Sequence, residues 1–160
     1  MLTQQAHKVL RDYDFHTKLI HRFVDGISHE ESLLQLPFEH NCMNWLLGHI
    51  VTNRSHVLET LQVPHAWELE VRALYHTEMP PIRPESESIR FDSLIQHLDE
   101  SVALLEFALE GLSEEQLEEK HTNYRGEKTR YAHLTSFHWH ETFHVGQLEI
   151  LKAFIESKRA

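Results

Sequence analysis

The sequence predicts an all-α fold, a four-helix bundle with short connecting helices, occupying residues 1–160 as one domain. Three observations carry this. Four long segments repeat apolar residues at helical spacing, no stretch has convincing strand alternation, and 160 residues that are 41% apolar suffice for one buried core.

The first helix is expected over roughly 3–26, with Ala6, Val9, Leu10, Tyr13, Leu19, Ile20, Phe23 and Val24 as its apolar stripe and Gly26 as its stop. Ser28-His29-Glu30-Glu31 then reads as a capping box that opens a short helix. The second long helix is expected over 42–61, capped by Asn41 and ended before Pro64. About 30 residues containing Pro64, Pro80, Pro81 and Pro84 follow, with one short helix suggested by Trp67, Val71 and Leu74; connections of that length are often functional. The third long helix covers 92–110 and stops at Gly111; Ser113-Glu114-Glu115-Gln116 echoes the earlier capping box. The fourth covers 129–156, with Lys152, Lys158 and Arg159 near its C-terminus, the sign that end of a helix favours. The echo suggests two helix pairs of similar plan, although such helix-to-helix turns are common.

Composition narrows the function. Lys plus Arg number 15 against 25 Asp plus Glu, a formal charge of −10, which disfavours nucleic acid or an anionic membrane as partner. A single cysteine, Cys42, excludes an intramolecular disulfide and fits a reducing compartment. With no apolar leader and no run near the ~20 residues of a membrane span, the expectation is a cytoplasmic protein. GxGxxG, GxxxxGK[ST] and GxSxG are absent, so nucleotide loops and hydrolase elbows have no candidate.

Histidine is over-represented at 15 residues, and His140-Glu141-Thr142-Phe143-His144 holds the one pair four apart, on one helix face about 40° apart. About 1.4 such pairs are expected by chance at this histidine content; requiring Glu in second position lowers that to about 0.2. HExxH suggests a zinc protease, but three features oppose it. The downstream acids Glu149 and Glu156 lie on the same continuing helix, Glu156 about 18 Å along its axis. The extended HExxHxxGxxH pattern is missing, and no strand is available to hold a peptide. A third ligand must come from another helix, and His49, beside Gly48, is best placed; its alternative is a hydrogen-bonded core histidine.

Asn44-Trp45-Leu46-Leu47-Gly48-His49-Ile50 followed by His140-xxx-His144-x-Gly146-Gln147 resembles the DinB/YfiT-like superfamily of metal-binding four-helix bundles. The likeness extends over nearly the whole chain, including Leu36-Pro37, Leu112-Ser113-x-Glu115 and Gly126-Glu127-Lys128-Thr129. It implies that His49, His140 and His144 bind a divalent metal, usually zinc or nickel. It also implies a thiol S-transferase or isomerase type of chemistry using a low-molecular-weight thiol, and a homodimer. Three imidazoles would leave one position open to water or a thiolate, as catalytic sites do.

Helical geometry puts Asn53, His56, His133 and Phe137 near the same cavity, either orienting ligands or as ordinary core. Glu141 is rotated about 100° from His140 and reads as a base or as a solvent-facing residue. Arg54 points off the His49 face, toward the surface or a dimer interface. Cys42, near a helix N-terminus, reads as an unreactive small side chain. Three functions stay open: a metal-dependent enzyme acting on a small molecule (thiol transferase or hydrolase), a non-catalytic metal- or ligand-binding stress protein, and a purely structural bundle. A carboxylate completing the coordination would favour the second.

Overall fold

The computed structural model describes residues 2–64, 67 and 69–159. Among the described residues, seven helices and a hairpin follow in the order α1 (Gln4–Val24), α2 (His29–Ser32), α3 (Met43–Thr60), α4 (Leu69–Ala73), α5 (Phe91–Glu110), α6 (Glu114–Leu117), β1 (Lys120–Asn123), β2 (Gly126–Thr129) and α7 (Arg130–Lys158). The long helices α1, α3, α5 and α7 form the bundle, and none of the described helices is long and apolar enough to cross a membrane.

Local chemistry sets the boundaries. Thr3 caps α1 by accepting from the Ala6 amide, and Thr129 caps α7 by accepting from Ala132. Both expected capping boxes form: Ser28 and Glu31 bond reciprocally at α2, Ser113 and Gln116 at α6. The start of α3 differs from expectation. Its N-cap is Cys42 rather than Asn41, and the side chain caps no amide: sulfur is a weak acceptor, and the buried thiol instead donates to the Ile82 carbonyl at 3.6 Å.

α3 packs on α5 and α7, and α1 packs on the same two, so α1 and α3 face each other across the bundle. Apolar residues fill the centre in two clusters, one around Met43, Leu47, Ile50, Leu94 and Leu148, the other around Val9, Tyr13, Leu58, Leu109 and Phe137. α3 is enclosed almost all round: of its residues, His56 is half-buried and Glu59 is exposed while the rest are buried.

The hairpin was not expected from the sequence. β1 and β2 are antiparallel, with Asn123 opposite Gly126 and Tyr124-Arg125 at the tip. Gly126 has φ +89°, the left-handed conformation that follows a tight turn and that a side chain would strain. Asn123 Oδ1 accepts the Arg125 amide across that turn, and its Nδ2 meets His133 Nδ1 at 3.2 Å. His133 Nε2 donates to the His121 carbonyl at 2.9 Å, tying the hairpin to α7.

Candidate metal centre

His49 on α3 and His140 and His144 on α7 bring their ring nitrogens within 4.8 Å of one another. His140 Nε2 lies 3.2 Å from His49 Nε2 and 3.1 Å from His144 Nε2. Nitrogens at ~2.0–2.1 Å from a tetrahedral zinc sit about 3.3 Å apart, so the spacing suits one shared ion.

The tautomers are fixed from behind. His49 Nδ1 faces the Tyr75 carbonyl at 2.8 Å, so it must carry the proton, and Nε2 keeps its lone pair. Tyr75 reaches α3 because Gly48 leaves room: a Cβ there would stand 2.2 Å from the Tyr75 ring. The Tyr75 hydroxyl accepts the Ile89 amide at 2.8 Å and donates to Asn44 Oδ1 at 3.2 Å, which holds the connecting segment in place. Trp45 stacks on the His49 ring, centroids 4.8 Å apart and planes within 7°.

His144 is set by a relay that ends on the backbone. His40 Nδ1 donates to the Asn41 carbonyl, so His40 Nε2 is an acceptor, which takes the Gln147 amide N–H at 3.2 Å. That turns Gln147 Oε1 toward His144 Nδ1 at 2.7 Å, and His144 Nε2 is left as a bare donor atom for a metal. Neither His40 nor the role of Gln147 was read from the sequence, although Gln147 lies in the motif His140-xxx-His144-x-Gly146-Gln147.

All three rings resist protonation. Burial, against the Tyr75 hydrogen bond and with the charges of His144 and His140, takes His49 down to about 4. Burial and the charges of His144 and Arg125 take His140 to about 4, and burial lowers His144 as well. Neutral imidazoles are the form that binds metal.

Glu141, the central acid of HExxH, does not face this cluster. It is 1% exposed and turned into the bundle, where Oε2 takes Arg54 Nε at 2.6 Å, Oε1 takes Arg54 Nη2 at 2.6 Å, and His16 Nδ1 lies 3.1 Å from Oε1. Burial alone would raise the Glu141 carboxyl; the Arg54 charge and hydrogen bonds, joined by His16, outweigh it and hold the group below the usual carboxylate range. Two expectations are thereby corrected. Glu141 is neither a base at the cluster nor in solvent, and Arg54, 1% exposed, is neither at the surface nor at an interface. The direction off the His49 face leads into the bundle, since α3 is buried on nearly every side. Cys42 is buried, which pushes its thiol up and keeps it unreactive.

A cavity of about 380 Å³ opens beside the cluster. His49 and His140 lie on its wall with Thr52, Asn53 and His56 from α3, Tyr75, His76 and Thr77 from the segment after α4, and Tyr124 and Arg125 from the hairpin tip. Asn53 also donates to the His49 carbonyl at 3.0 Å, and His56 Nδ1 pairs with Glu59 at 2.8 Å. Phe137 is not on the wall but under it, 1% exposed, beneath the guanidinium of Arg125 at 4.2 Å. His133 is not on the wall either: seven residues before His140 it shares the face but lies about 10 Å down the axis, where the hairpin covers it.

The DinB superfamily model matches residues 12–148. The chain belongs to the DinB superfamily. No curated protein matches it. Among solved structures, a conserved protein from Enterococcus faecalis is similar in fold, with a TM-score of 0.72 over 98% of this chain and 99% of that one, at 20% sequence identity. The helical bundle is therefore shared, and the three imidazoles brought together in it could hold a metal ion.

Proposed function

We propose that this DinB-superfamily chain is a metal-dependent enzyme acting on small molecules, of the thiol S-transferase type, in which His49, His140 and His144 hold zinc or nickel. One observation carries the reading. Among the described residues the cluster has three imidazoles and no carboxylate, and it borders a cavity large enough for a small substrate. A zinc or nickel ion held there would supply a Lewis acid, able to bring a bound water toward a pKa of about 7 or to deprotonate a bound thiol.

The protein's own part is positional. Tyr75 and the Gln147–His40 relay keep His49 and His144 in the tautomer that offers Nε2. The Arg54–Glu141 pair joins α3 to α7 behind them, fixing the distance across which the two helices share a ligand set. Asn53 and His56 face the same cavity as contacts for a substrate.

The test is metal content by elemental mass spectrometry of untagged wild type and His49→Ala. Near one zinc or nickel per wild-type chain and none in the variant is the expected result; no metal in either overturns the reading. Turnover of thiol-conjugation substrates by the loaded protein then separates an enzyme from a protein that only stores metal.

A further inference from the structure

The wall of the cavity departs from the chain's overall charge. The sequence has 25 acidic and 15 basic residues, yet among the described residues this wall holds no carboxylate and one guanidinium, Arg125. Among the arginines that are not exposed, Arg54, Arg72 and Arg130 each face a carboxylate. Half-buried Arg125 does not. Its Nη1 donates to the Ser136 carbonyl and hydroxyl at 3.3 and 3.4 Å, its Nε donates to the Tyr124 hydroxyl at 3.2 Å, and its plane is held 4.2 Å from the Phe137 ring. Nη2 has no partner among the described residues. A second polar group on the wall also lacks one: Thr52 is 5% exposed, and its hydroxyl is buried without a hydrogen bond. Buried polar groups are rarely left unpaired unless something else satisfies them.

We infer that Arg125 is the handle for a carboxylate on the substrate, so the cavity selects small organic monoanions whose other end reaches the imidazole cluster. This rests on the reading of that cluster as the reaction centre. The guanidinium is already oriented by the hairpin tip and the Phe137 ring, so little rotamer freedom is lost when an anion binds. One unpaired nitrogen matches one carboxylate oxygen. A dianionic phosphate at this end of the cavity would keep a charge that Arg125 alone does not compensate, since among the described residues the wall carries no second Lys or Arg. The Asn53 side chain adds a neutral polar contact, and the Tyr124 ring gives the stem of the ligand an apolar surface.

The experiment compares 3-mercaptopropanoate with its neutral counterpart 3-mercaptopropanamide by titration calorimetry, on metal-free and zinc-loaded protein. Wild type is expected to bind the carboxylate about tenfold more tightly, Arg125→Gln to lose that preference, and Arg125→Lys to retain part of it. Zinc uptake should be equal in all three. Ser136→Ala, which removes the longer of the two Nη1 bonds but leaves the Ser136 carbonyl bond, the Phe137 contact and the charge, should keep the preference nearly unchanged. Equal affinity for the two compounds in wild type overturns the assignment, and so does a preference that survives in Arg125→Gln, because the carboxylate would then be held elsewhere. If wild type takes up no zinc, the metal-dependent reading fails, while the preference measured on metal-free protein still decides the role of Arg125.

Discussion

Replacing Glu141 with Gln keeps the side chain's shape and removes its charge, which leaves the Arg54 guanidinium buried without a counter-ion. Arg54 is 1% exposed and contacts every long helix: Glu141 on α7 through two bonds of 2.6 Å, Tyr13 O and Thr17 Oγ1 on α1 at 3.3 and 3.2 Å, and Ser101 Oγ on α5 at 3.4 Å. It also lies 4.6 Å over the Tyr13 ring. Breaking a buried pair by removing one partner costs about 3–5 kcal/mol. For a chain of this size, about 2–4 °C of Tm accompanies each kcal/mol, so the loss is about 6–20 °C. The assay is urea unfolding followed by helical circular dichroism at pH 7 in the presence of a chelator, which removes any metal contribution. Arg54→Met/Glu141→Met replaces both charges with apolar side chains of similar volume and should recover much of the loss, since an apolar pair fills such a site about as well as an ionic one. A Glu141→Gln variant within about 1 kcal/mol of wild type, or a double variant as unstable as the sum of the two singles, would refute the argument that uncompensated charge sets the cost.

Gly48→Ala should destabilise the fold by about 3 kcal/mol, the upper end for overpacking, because the new Cβ meets the Tyr75 ring at 2.2 Å and Tyr75 is anchored at both ends; urea unfolding reads the cost, and zinc titration should fall with it as His49 loses its carbonyl partner. Gln147→Ala removes the acceptor for His144 Nδ1–H and should weaken zinc about 10–100-fold with little change in the unfolding midpoint of metal-free protein, by competition with a chromophoric chelator. Acid should destabilise the metal-free fold in two stages. His49 and His140 are lowered from 6.5 to about 4, so the unfolded chain takes up protons first, and stability present above pH 6.5 is lost as pH falls toward 4. Glu141 is also depressed, and its contribution, full above the unfolded value of about 4.3, disappears as pH falls further. Melting temperatures across this range test both stages; the upper one should shrink in His49→Ala/His140→Ala without vanishing, since His144, His56 and His138 are lowered as well, and a flat wild-type profile would count against burial of neutral rings.

What the sequence discloses depends on how local the governing rule is. The four long helices fall within two residues of their expected bounds at every end, since period, Gly stops and capping residues are written within a few positions of each other. The two Ser boxes are likewise self-contained, and both form. The hairpin is the opposite case. β1 and β2 are four residues each with no apolar side chain and no buried face to impose alternation, and their pairing shows in the sequence only as Asn123 and Gly126 around a turn.

The same distinction divides the site. An i,i+4 histidine pair is a local fact, so His140 and His144 are legible, whereas the partner on the neighbouring helix needed the Gly48-His49 context and a family likeness. Periodicity gives the angle of Arg54 from His49 and of Glu141 from His140, but an angle does not say which direction is solvent. On a helix with one buried face the opposite side can be taken as exposed; α3 has no opposite side. The signal available was composition: in Met43–Thr60 only Arg54 and Glu59 are charged, and Glu59 stands at the end of the run, so Arg54 is a lone cation within an otherwise uncharged stretch. A cation in such a helix requires an anion from a neighbour, and α7 offers Glu141 one residue from His140. The charge that joins the helices and the ligands they share are therefore adjacent in sequence as well as in space, which ties the stability of the bundle to the geometry of the cluster.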